Sequence, residues 1–563
     1  MLLSISALTM AQTKEITVEP GTFSIEEALH EARLARLHGE ATDAVITLRQ
    51  GVYNLCQPIY VRPEDNGTRF VADGEVVISG GVEVKGWRNA GKFWVADAPT
   101  FNGRPLLFRQ MWVNGQKADR ARNVADFEQM PRILSVDKQK ETIYVPSSAV
   151  RKVAREKRLE MVLHEMWCIA NLRIKAVTLM GDSAAVTFHQ PESHIHFMHP
   201  WPSPMVTADG HNSAFYLTGA ASFLDTPGEW FLDETSSKIY YMPRAGETIS
   251  SAEVVVPAAE TLLEVAGTPD RPVTGVSFRG ITFSHATWLR PSLAGHAPLQ
   301  AGLYMTEAFK IRPGIKRPNG DHGLDNQGWC GRPAAAVSIN CADDVRFSNC
   351  TVAHNASTGI DFGTYVHNCR IDSCEITDCG GNGIMAGSFG GEWHEAHLPY
   401  EPGDVRETCR GLVISGNRIH DVTNEDWGTL GICAGYVRDI LIQGNEISEV
   451  SYSGISMGWG WNQQPCSMAN NIIRDNVIHH YAKHMYDVAG IYTLGSQPHS
   501  LIENNTVRDI YTPGYAHDPN HWFYLYTDEG SSGITIRGNH CPTDKFLKNS
   551  CGPGNVWENN VDE

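Results

Sequence analysis

One six-residue pattern recurs through the second half of the chain, from about residue 273, and restricts the fold more than any other feature. Each copy has an apolar residue, two variable residues, Asn or Cys, one variable residue, and a second apolar residue. Eight copies share this order: Phe347–Val352, Ile371–Ile376, Ile414–Ile419, Ile442–Ile447, Ile473–Ile478, Ile502–Val507, Ile536–Cys541 and Val556–Val561. Their Asn or Cys positions are 20 to 43 residues apart, which is typical of a solenoid that adds one unit per coil.

A second pattern, bounded by glycines, lies between these copies and predicts further short strands. It occurs as Gly359–Gly363, Gly383–Gly387, Gly431–Gly435 and Gly454–Gly458, and in a longer form as Gly490–Gly495. Short strands that stack coil on coil predict an all-β chain with a right-handed parallel β-helix. We expect each repeat Asn at a bend, with its amide bonded to the neighbouring coils about 4.8 Å away.

The first half of the chain predicts two different regions. Residues 13–86 have strand-like runs and a capping box at Ser24–Glu27, so we expect an N-terminal cap helix and the first coils of the solenoid. Residues 87–257 have short strand-like runs joined by turns and no Asn repeat, which predicts an inserted β-sandwich.

Residues 258–563 are predicted to form the main β-helix. The unequal repeat spacing requires loop insertions, and we assign these to 286–333 and 388–410. Repeat proteins place such insertions on one face, which is often the binding face.

Charge and hydropathy limit the partners. Lys and Arg number 46 and Asp and Glu 64, a net charge of −18, so nucleic acid and anionic membranes are disfavoured. No stretch approaches the ~18 apolar residues of a membrane span.

Residues 1–12 are apolar and end in small residues, which predicts a partial signal peptide and a periplasmic or secreted protein. We expect a monomer whose 13 cysteines form no complete disulfide framework, because their number is odd.

Three segments of the predicted sandwich resemble a known family. Gln110–Asn123, Pro227–Asp233 and Ile239–Pro243 are similar to segments of glycoside hydrolase family 141, bacterial β-helix enzymes that carry a β-sandwich against the solenoid. The resemblance covers most of the chain. It implies hydrolysis of plant cell-wall polysaccharide, such as pectin side chains, with α-L-fucosidase activity first and xylanase or β-xylosidase activity second. We expect no required cofactor, and nothing in the sequence indicates bound Ca²⁺.

Glycoside hydrolysis normally requires two carboxyl groups, and the sequence offers Asp487 and Asp528. A gapless alignment of neighbouring coils puts Asp528 where other copies have small or apolar residues, which is a reason to expect a raised pKa and a general-acid role. The resemblance suggests Asp487 as base or nucleophile. The same alignment pairs Asp487 with His521, and seven extended residues would separate the two carboxyls by roughly 23 Å. The chain must therefore bend sharply before Gly490, or another carboxylate must be the partner.

Further residues near these positions are candidates for contacting a sugar. Aromatic side chains can pack on the C–H faces of sugars, and the reserve carboxylates are Glu529, Glu425 and Asp426. The candidate substrate-binding residues are His484, Tyr492, His521, Trp522, Glu529, Glu425, Trp427 and Trp459. For Trp459, packing in the core is an equal alternative. The segment 392–397 has a superficial likeness to metal-binding spacing but lacks a helical context, so we predict no metal site.

Other chemistries fit a β-helix less well. A polysaccharide lyase would use a basic residue or Tyr, for which Lys483, His484, Tyr486 and His521 are available, but no basic groove is visible. A polygalacturonase would need a Gly-His-Gly motif, which the chain lacks. A non-catalytic glycan-binding β-helix would have more regular coils and no inserted sandwich.

Overall fold

The computed structural model describes residues 12–308, 330–390 and 396–562. Within them the chain is an all-β parallel β-helix that carries an inserted β domain, which confirms the predicted fold class. Isoleucines at equivalent positions of successive coils, such as Ile371, Ile414, Ile442 and Ile473, are fully buried. The apolar positions of the repeat therefore form the continuous core of the solenoid.

The longest sheet of the solenoid has eighteen strands, paired in parallel. Many coils contribute two short strands separated by the bend that carries the repeat Asn or Cys. The strands are Thr13–Val18, Asp43–Asn54, Thr68–Ser79, Ser277–Ser284, Arg346–Ser348, Thr351–Asn355, Arg370–Asp372, Glu375–Cys379, Val413–Ser415, Arg418–His420, Leu441–Gln443, Glu446–Ser448, Ile472–Arg474, Val477–Tyr481, Ser496–Glu503, Thr506–Ile510, Ser532–Arg537 and Val556–Glu558.

Two further parallel sheets complete the coils. The ten-stranded sheet comprises Ile59–Val61, Leu263–Ala266, Ala335–Asn340, Thr358–Phe362, Ile384–Ala386, Ile432–Ala434, Ile455–Met457, Val488–Thr493, Trp522–Thr527 and Phe546–Lys548. The five-stranded sheet comprises Val273–Thr274, Ala342–Asp343, Val366–His367, Cys409–Arg410 and Val437–Arg438. The glycine-bounded pattern of the sequence falls in the ten-stranded sheet.

The inserted domain contains two larger sheets, each associated with its own hydrophobic cluster. The eight-stranded sheet comprises Gly81–Glu83, Arg88–Ala90, Phe93–Asp97, Met111–Val113, Gln116–Arg120, Glu229–Asp233, Lys238–Tyr241 and Val254–Pro257. The six-stranded sheet comprises Ser135–Asp137, Thr142–Pro146, Glu160–His164, Ile169–Met180, Ser183–Phe188 and Phe215–Thr218. Smaller sheets are Thr100–Phe101 with Arg104–Pro105, and Pro298–Gln300 with Leu303–Met305 and Cys330–Gly331.

Helices are short, except at the N-terminus. Ser24 and Glu27 form the predicted capping box at the start of the helix Ile25–Leu37, which contacts the first strands. The other α-helices are Ser147–Val150, Glu192–Met198 and Arg290–Ala294, and the 3₁₀ turns are Pro63–Asp65, Phe127–Gln129, Ala221–Phe223, Val405–Glu407 and Thr543–Lys545. No helix in the described ranges is long and apolar enough to cross a membrane.

The repeat asparagines form a buried ladder of amide hydrogen bonds, as the sequence predicts. Asn417, Asn445, Asn476 and Asn505 each donate from Nδ2 to the Oδ1 of the next coil's asparagine at 2.9 Å. Asn539 continues the ladder to Asn560 at 2.9 Å. The alignment of the last repeat copy, which placed Asn559 in the ladder, was therefore wrong by one residue.

Cysteines occupy the ladder position in the earlier coils. The Cys350 amide donates to Cys374 Sγ at 3.4 Å, and the Cys374 amide donates to Asn417 Oδ1 at 2.9 Å. All thirteen cysteines are free thiols. The predicted signal segment 1–12 lies outside the described residues apart from Gln12, and the insertions 286–333 and 388–410 are described only in part.

Candidate functional site

The two candidate carboxylates lie on neighbouring coils at the C-terminal end of the ten-stranded sheet. Val488–Thr493 pairs in parallel with Trp522–Thr527, with Tyr492 opposite Tyr526 and Thr493 opposite Thr527. This register confirms the gapless alignment made from the sequence. Asp487 precedes the first strand and Asp528 follows the second, and the Asp528 amide donates to the Thr493 carbonyl at 3.0 Å.

Asp528 is a buried carboxyl group with two hydrogen-bond donors. Its Oδ2 accepts from Tyr492 Oη at 2.5 Å, and its Oδ1 accepts from Asn549 Nδ2 at 2.8 Å. Burial is the main cause that raises the pKa of Asp528 to about 6, and the charges of Asp487 and Glu529 raise it further against the effect of the two hydrogen bonds. Asp528 is therefore partly protonated in mildly acidic solution and can donate a proton.

Asp487 lies at a turn and forms an ion pair. Its backbone has a left-handed φ of 55°, and its amide donates to the His521 carbonyl at 2.7 Å. Asp487 Oδ1 is 3.1 Å from His521 Nε2, and the hydrogen bond with Asp487 is the largest cause that raises the pKa of His521. The backbone therefore turns at Asp487, immediately before the strand Val488–Thr493. The charge on Asp487 also raises the pKa of Asp528, although less than burial does.

The charges of both carboxylates also affect the pKa values of three buried tyrosines. Burial raises the pKa of Tyr452, Tyr492 and Tyr526, and the negative charges of Asp487 and Asp528 raise each of them further. These phenols therefore stay protonated and can act as hydrogen-bond donors. They give the site neutral polar groups beside two acidic ones.

The inserted domain supplies one wall beside the site, which the sequence did not predict. His164 Nε2 donates to the His484 carbonyl at 2.8 Å. The imidazole of His484 stacks on Trp427 with ring centres 4.2 Å apart, and Phe127 packs on the same tryptophan at 4.8 Å. Burial lowers the pKa of His484 to about 3, so its ring is neutral and acts as part of an aromatic stack.

The same domain holds the loop that leads to His521. Glu128 Oε1 accepts from the Gly514 amide at 3.0 Å, and Arg132 Nη2 donates to the Gly514 carbonyl at 3.2 Å. Both residues are separated from Gly514 by more than 380 positions in sequence. A contact over that separation leaves no local signal, so the repeat pattern could not have identified it.

The remaining candidate residues have varied positions. Trp427 and Trp459 are each 3% exposed, and Trp459 packs on Phe389 at 5.2 Å, so neither ring offers an open face to a sugar in this arrangement. Trp522 is only partly buried and lies under Lys545, whose Nζ is 4.2 Å from the ring centre.

The reserve carboxylates are engaged in different contacts. Glu425 forms an ion pair with Lys117 of the inserted domain at 2.5 Å. Asp426 Oδ2 is 3.2 Å from His296 Nε2. The Glu529 carbonyl accepts from the Gly495 amide at 3.0 Å, in the turn after the strand that ends at Thr527.

The described residues contain no group of three or more His, Cys, Asp or Glu side chains able to hold a metal ion. Most of the segment 392–397, considered above for its metal-like spacing, lies outside the described residues.

Two family models and solved structures are similar to this chain. Residues 91–244 match the model of the GH141 insertion domain, and residues 404–561 match that of the right-handed β-helix region. A solved structure described as a glycoside hydrolase is 53% identical, covers 97% of this chain and 96% of its own, and has a TM-score of 0.94. A complex of XylC with xylose is 12% identical, covers 96% of this chain and 70% of its own, and has a TM-score of 0.47. A search of curated proteins found no match.

Proposed function

Because the chain belongs to glycoside hydrolase family 141, we propose that it hydrolyses glycosidic bonds of plant cell-wall polysaccharide at Asp487 and Asp528 and releases α-L-fucose. The observation that carries the proposal is the contrast between the two carboxyl groups. Asp528 is buried with a pKa raised to about 6, whereas Asp487 is paired with His521. Two carboxyl groups in different environments are the usual means of separating acid and base roles.

Asp528 acts as the general acid. It gives its proton to the glycosidic oxygen while the bond from that oxygen to the anomeric carbon breaks. Tyr492 and Asn549 hold its carboxyl group in position and then stabilise the carboxylate that remains after proton transfer.

Asp487 acts on the opposite side of the sugar as the second carboxylate, either by taking a proton from the attacking water or by attacking the anomeric carbon. His521, held against Asp487, orients that carboxylate and stabilises its charge. If Asp487 takes a proton from water, it passes that proton to solvent while Asp528 regains one from solvent. If Asp487 attacks the sugar, water hydrolyses the resulting glycosyl ester and gives its proton to Asp528, which frees Asp487 and restores the acid.

The sugar is assigned by the family resemblance, so the test must report on the sugar and on the acid separately. Wild type, Asp528→Asn and Asp487→Asn are incubated with a fucose-bearing pectin fraction, with xylan and with α-L-fucosyl fluoride, and the products are chromatographed. Fluoride leaves without protonation. We therefore expect Asp528→Asn to reduce activity about 10²–10⁴-fold on pectin but far less on the fluoride. Asp487→Asn should reduce activity on both substrates.

A matched control is Asp509→Asn, an exposed aspartate on a neighbouring strand that pairs with Arg508; it should keep wild-type activity. If xylo-oligosaccharides are the only products, the sugar assigned to the enzyme changes from fucose to xylose. Unsaturated sugar ends would make the enzyme a lyase. Equal losses for Asp528→Asn on pectin and on the fluoride would remove Asp528 as the acid.

A further inference from the structure

A cleft of about 690 Å³ lies in the inserted domain, apart from Asp487 and Asp528. Its lining comes from both larger sheets of that domain and from the helix Arg290–Ala294. The volume is within the range of clefts that bind small molecules. None of the site residues described above lines it.

The floor of the cleft has more positive than negative charge. Glu160 is 4% exposed and accepts hydrogen bonds from Arg109 at 2.7 Å and from Arg120 at 2.8 and 3.0 Å. Ser292 also donates to this carboxylate at 2.6 Å. Two guanidinium groups thus share one carboxylate, and one positive charge at the floor is not balanced by it. Guanidinium groups suit planar carboxylate ligands because they present paired donors.

The rim adds cations that have no partner in the described part of the chain. Arg155 and Lys157 are exposed, line the cleft, and form no ion pair or hydrogen bond with any residue in the described ranges. Arg158 also lines the cleft and is paired with Glu234, another lining residue. Six cationic and four anionic side chains line the cleft, although the chain as a whole has a net charge of −18. The cleft therefore attracts an anion, in contrast to the average charge of the chain.

The cleft also offers a partly buried aromatic ring, that of Phe231, in its wall. Sugars combine apolar C–H faces, which pack on such rings, with polar edges. We propose that this cleft binds an anionic oligosaccharide, with its uronate carboxylates at Arg120, Arg155 and Lys157, and so retains acidic polysaccharide on the enzyme. The inference rests on the proposed function in taking carbohydrate as the ligand.

Binding is tested by calorimetric titration of the Asp528→Asn protein, so that no substrate is consumed. The probe is tetragalacturonate, and neutral maltotetraose is the comparison ligand. The cleft variant adds Arg155→Gln and Lys157→Gln, two exposed residues whose loss should not disturb folding. The matched control adds Lys138→Gln and Lys152→Gln, which make the same charge change on exposed residues of the inserted domain outside the cleft.

We expect tetragalacturonate to bind at least tenfold more tightly than maltotetraose, and more weakly as salt rises. The cleft variant should lose at least fivefold in affinity, and the control variant should lose none. The absence of tetragalacturonate binding, or equal affinity in the cleft variant, overturns the proposal. Displacement of the probe by an equal concentration of inorganic phosphate would show a general anion site, which overturns the saccharide assignment.

Hydrolysis is measured separately with the two cleft substitutions placed in otherwise wild-type protein. Turnover of α-L-fucosyl fluoride should be unchanged, whereas KM for acidic polymer should rise. If tetragalacturonate binds as expected but no fucosyl substrate is hydrolysed, the proposed function fails and the cleft stands. If fucosyl substrates are hydrolysed but tetragalacturonate does not bind, the cleft proposal fails and the proposed function stands.

Discussion

At the scale of single residues, Asp528 determines how activity depends on pH. A general acid must be protonated, so kcat/KM should fall as the pH rises through about 6, the pKa of Asp528. The Tyr492 hydroxyl stabilises the carboxylate form and lowers this pKa. Tyr492→Phe should therefore move the basic limb of the profile to higher pH, with a loss of less than about tenfold in activity at the optimum.

The measurement is the pH profile of kcat/KM on a fucosylated substrate with a poor leaving group. Tyr511→Phe is the matched control, because that hydroxyl donates to Glu449 and does not contact Asp528. If the kcat/KM profiles of wild type and Tyr492→Phe fall at the same high pH, a group other than Asp528 limits the reaction there.

At the scale of structural elements, the Asn ladder stabilises the coils that carry the site. Asn476 accepts from the amide and the side chain of Asn445 and donates to the Ile442 carbonyl, all between 2.9 and 3.0 Å. Asn476→Ala would leave these buried groups without their partner and should cost about 2–4 kcal/mol. Thermal melting should show a clear decrease, whereas Gln464→Ala, on an exposed residue, should melt like wild type. Equal melting temperatures would show that water replaces the amide.

The contact of the inserted domain with the loop at Gly514 belongs to the same scale. Glu128→Ala together with Arg132→Ala removes both hydrogen bonds to Gly514. The loop that leads to His521 should then move more, so hydrogen exchange in it should rise and kcat/KM should fall about tenfold. The matched control, Arg88→Ala with Glu253→Ala, changes the same residue types at exposed positions, one in the eight-stranded sheet and one directly before its strand Val254–Pro257. Unchanged exchange in the loop would refute a positioning role.

At the scale of the whole molecule, sequence reasoning succeeds where the signal is periodic. The repeat predicts the solenoid, the ladder and the register of Tyr492 with Tyr526, because every coil repeats the same constraint. It does not predict the docking of Phe127 and His164 beside Trp427 and His484, because those contacts join residues about 300 positions apart that belong to no repeat. The aromatic stack therefore looked like sugar-binding residues in the sequence, whereas the structure packs it between the inserted domain and the solenoid.

The distribution of thiols is also a property of the whole molecule. Eight cysteines are buried and only Cys56 is exposed, so the thiols act as packing residues of the solenoid rather than as cross-links. Native protein should react rapidly with Ellman's reagent at about one equivalent, and all thirteen thiols should react in denaturant. Cys56→Ser should remove the rapid phase, and reductant should leave the melting temperature unchanged. A melting temperature that falls with reductant would mean that disulfides contribute to stability, and the ladder cysteines would then need a different role.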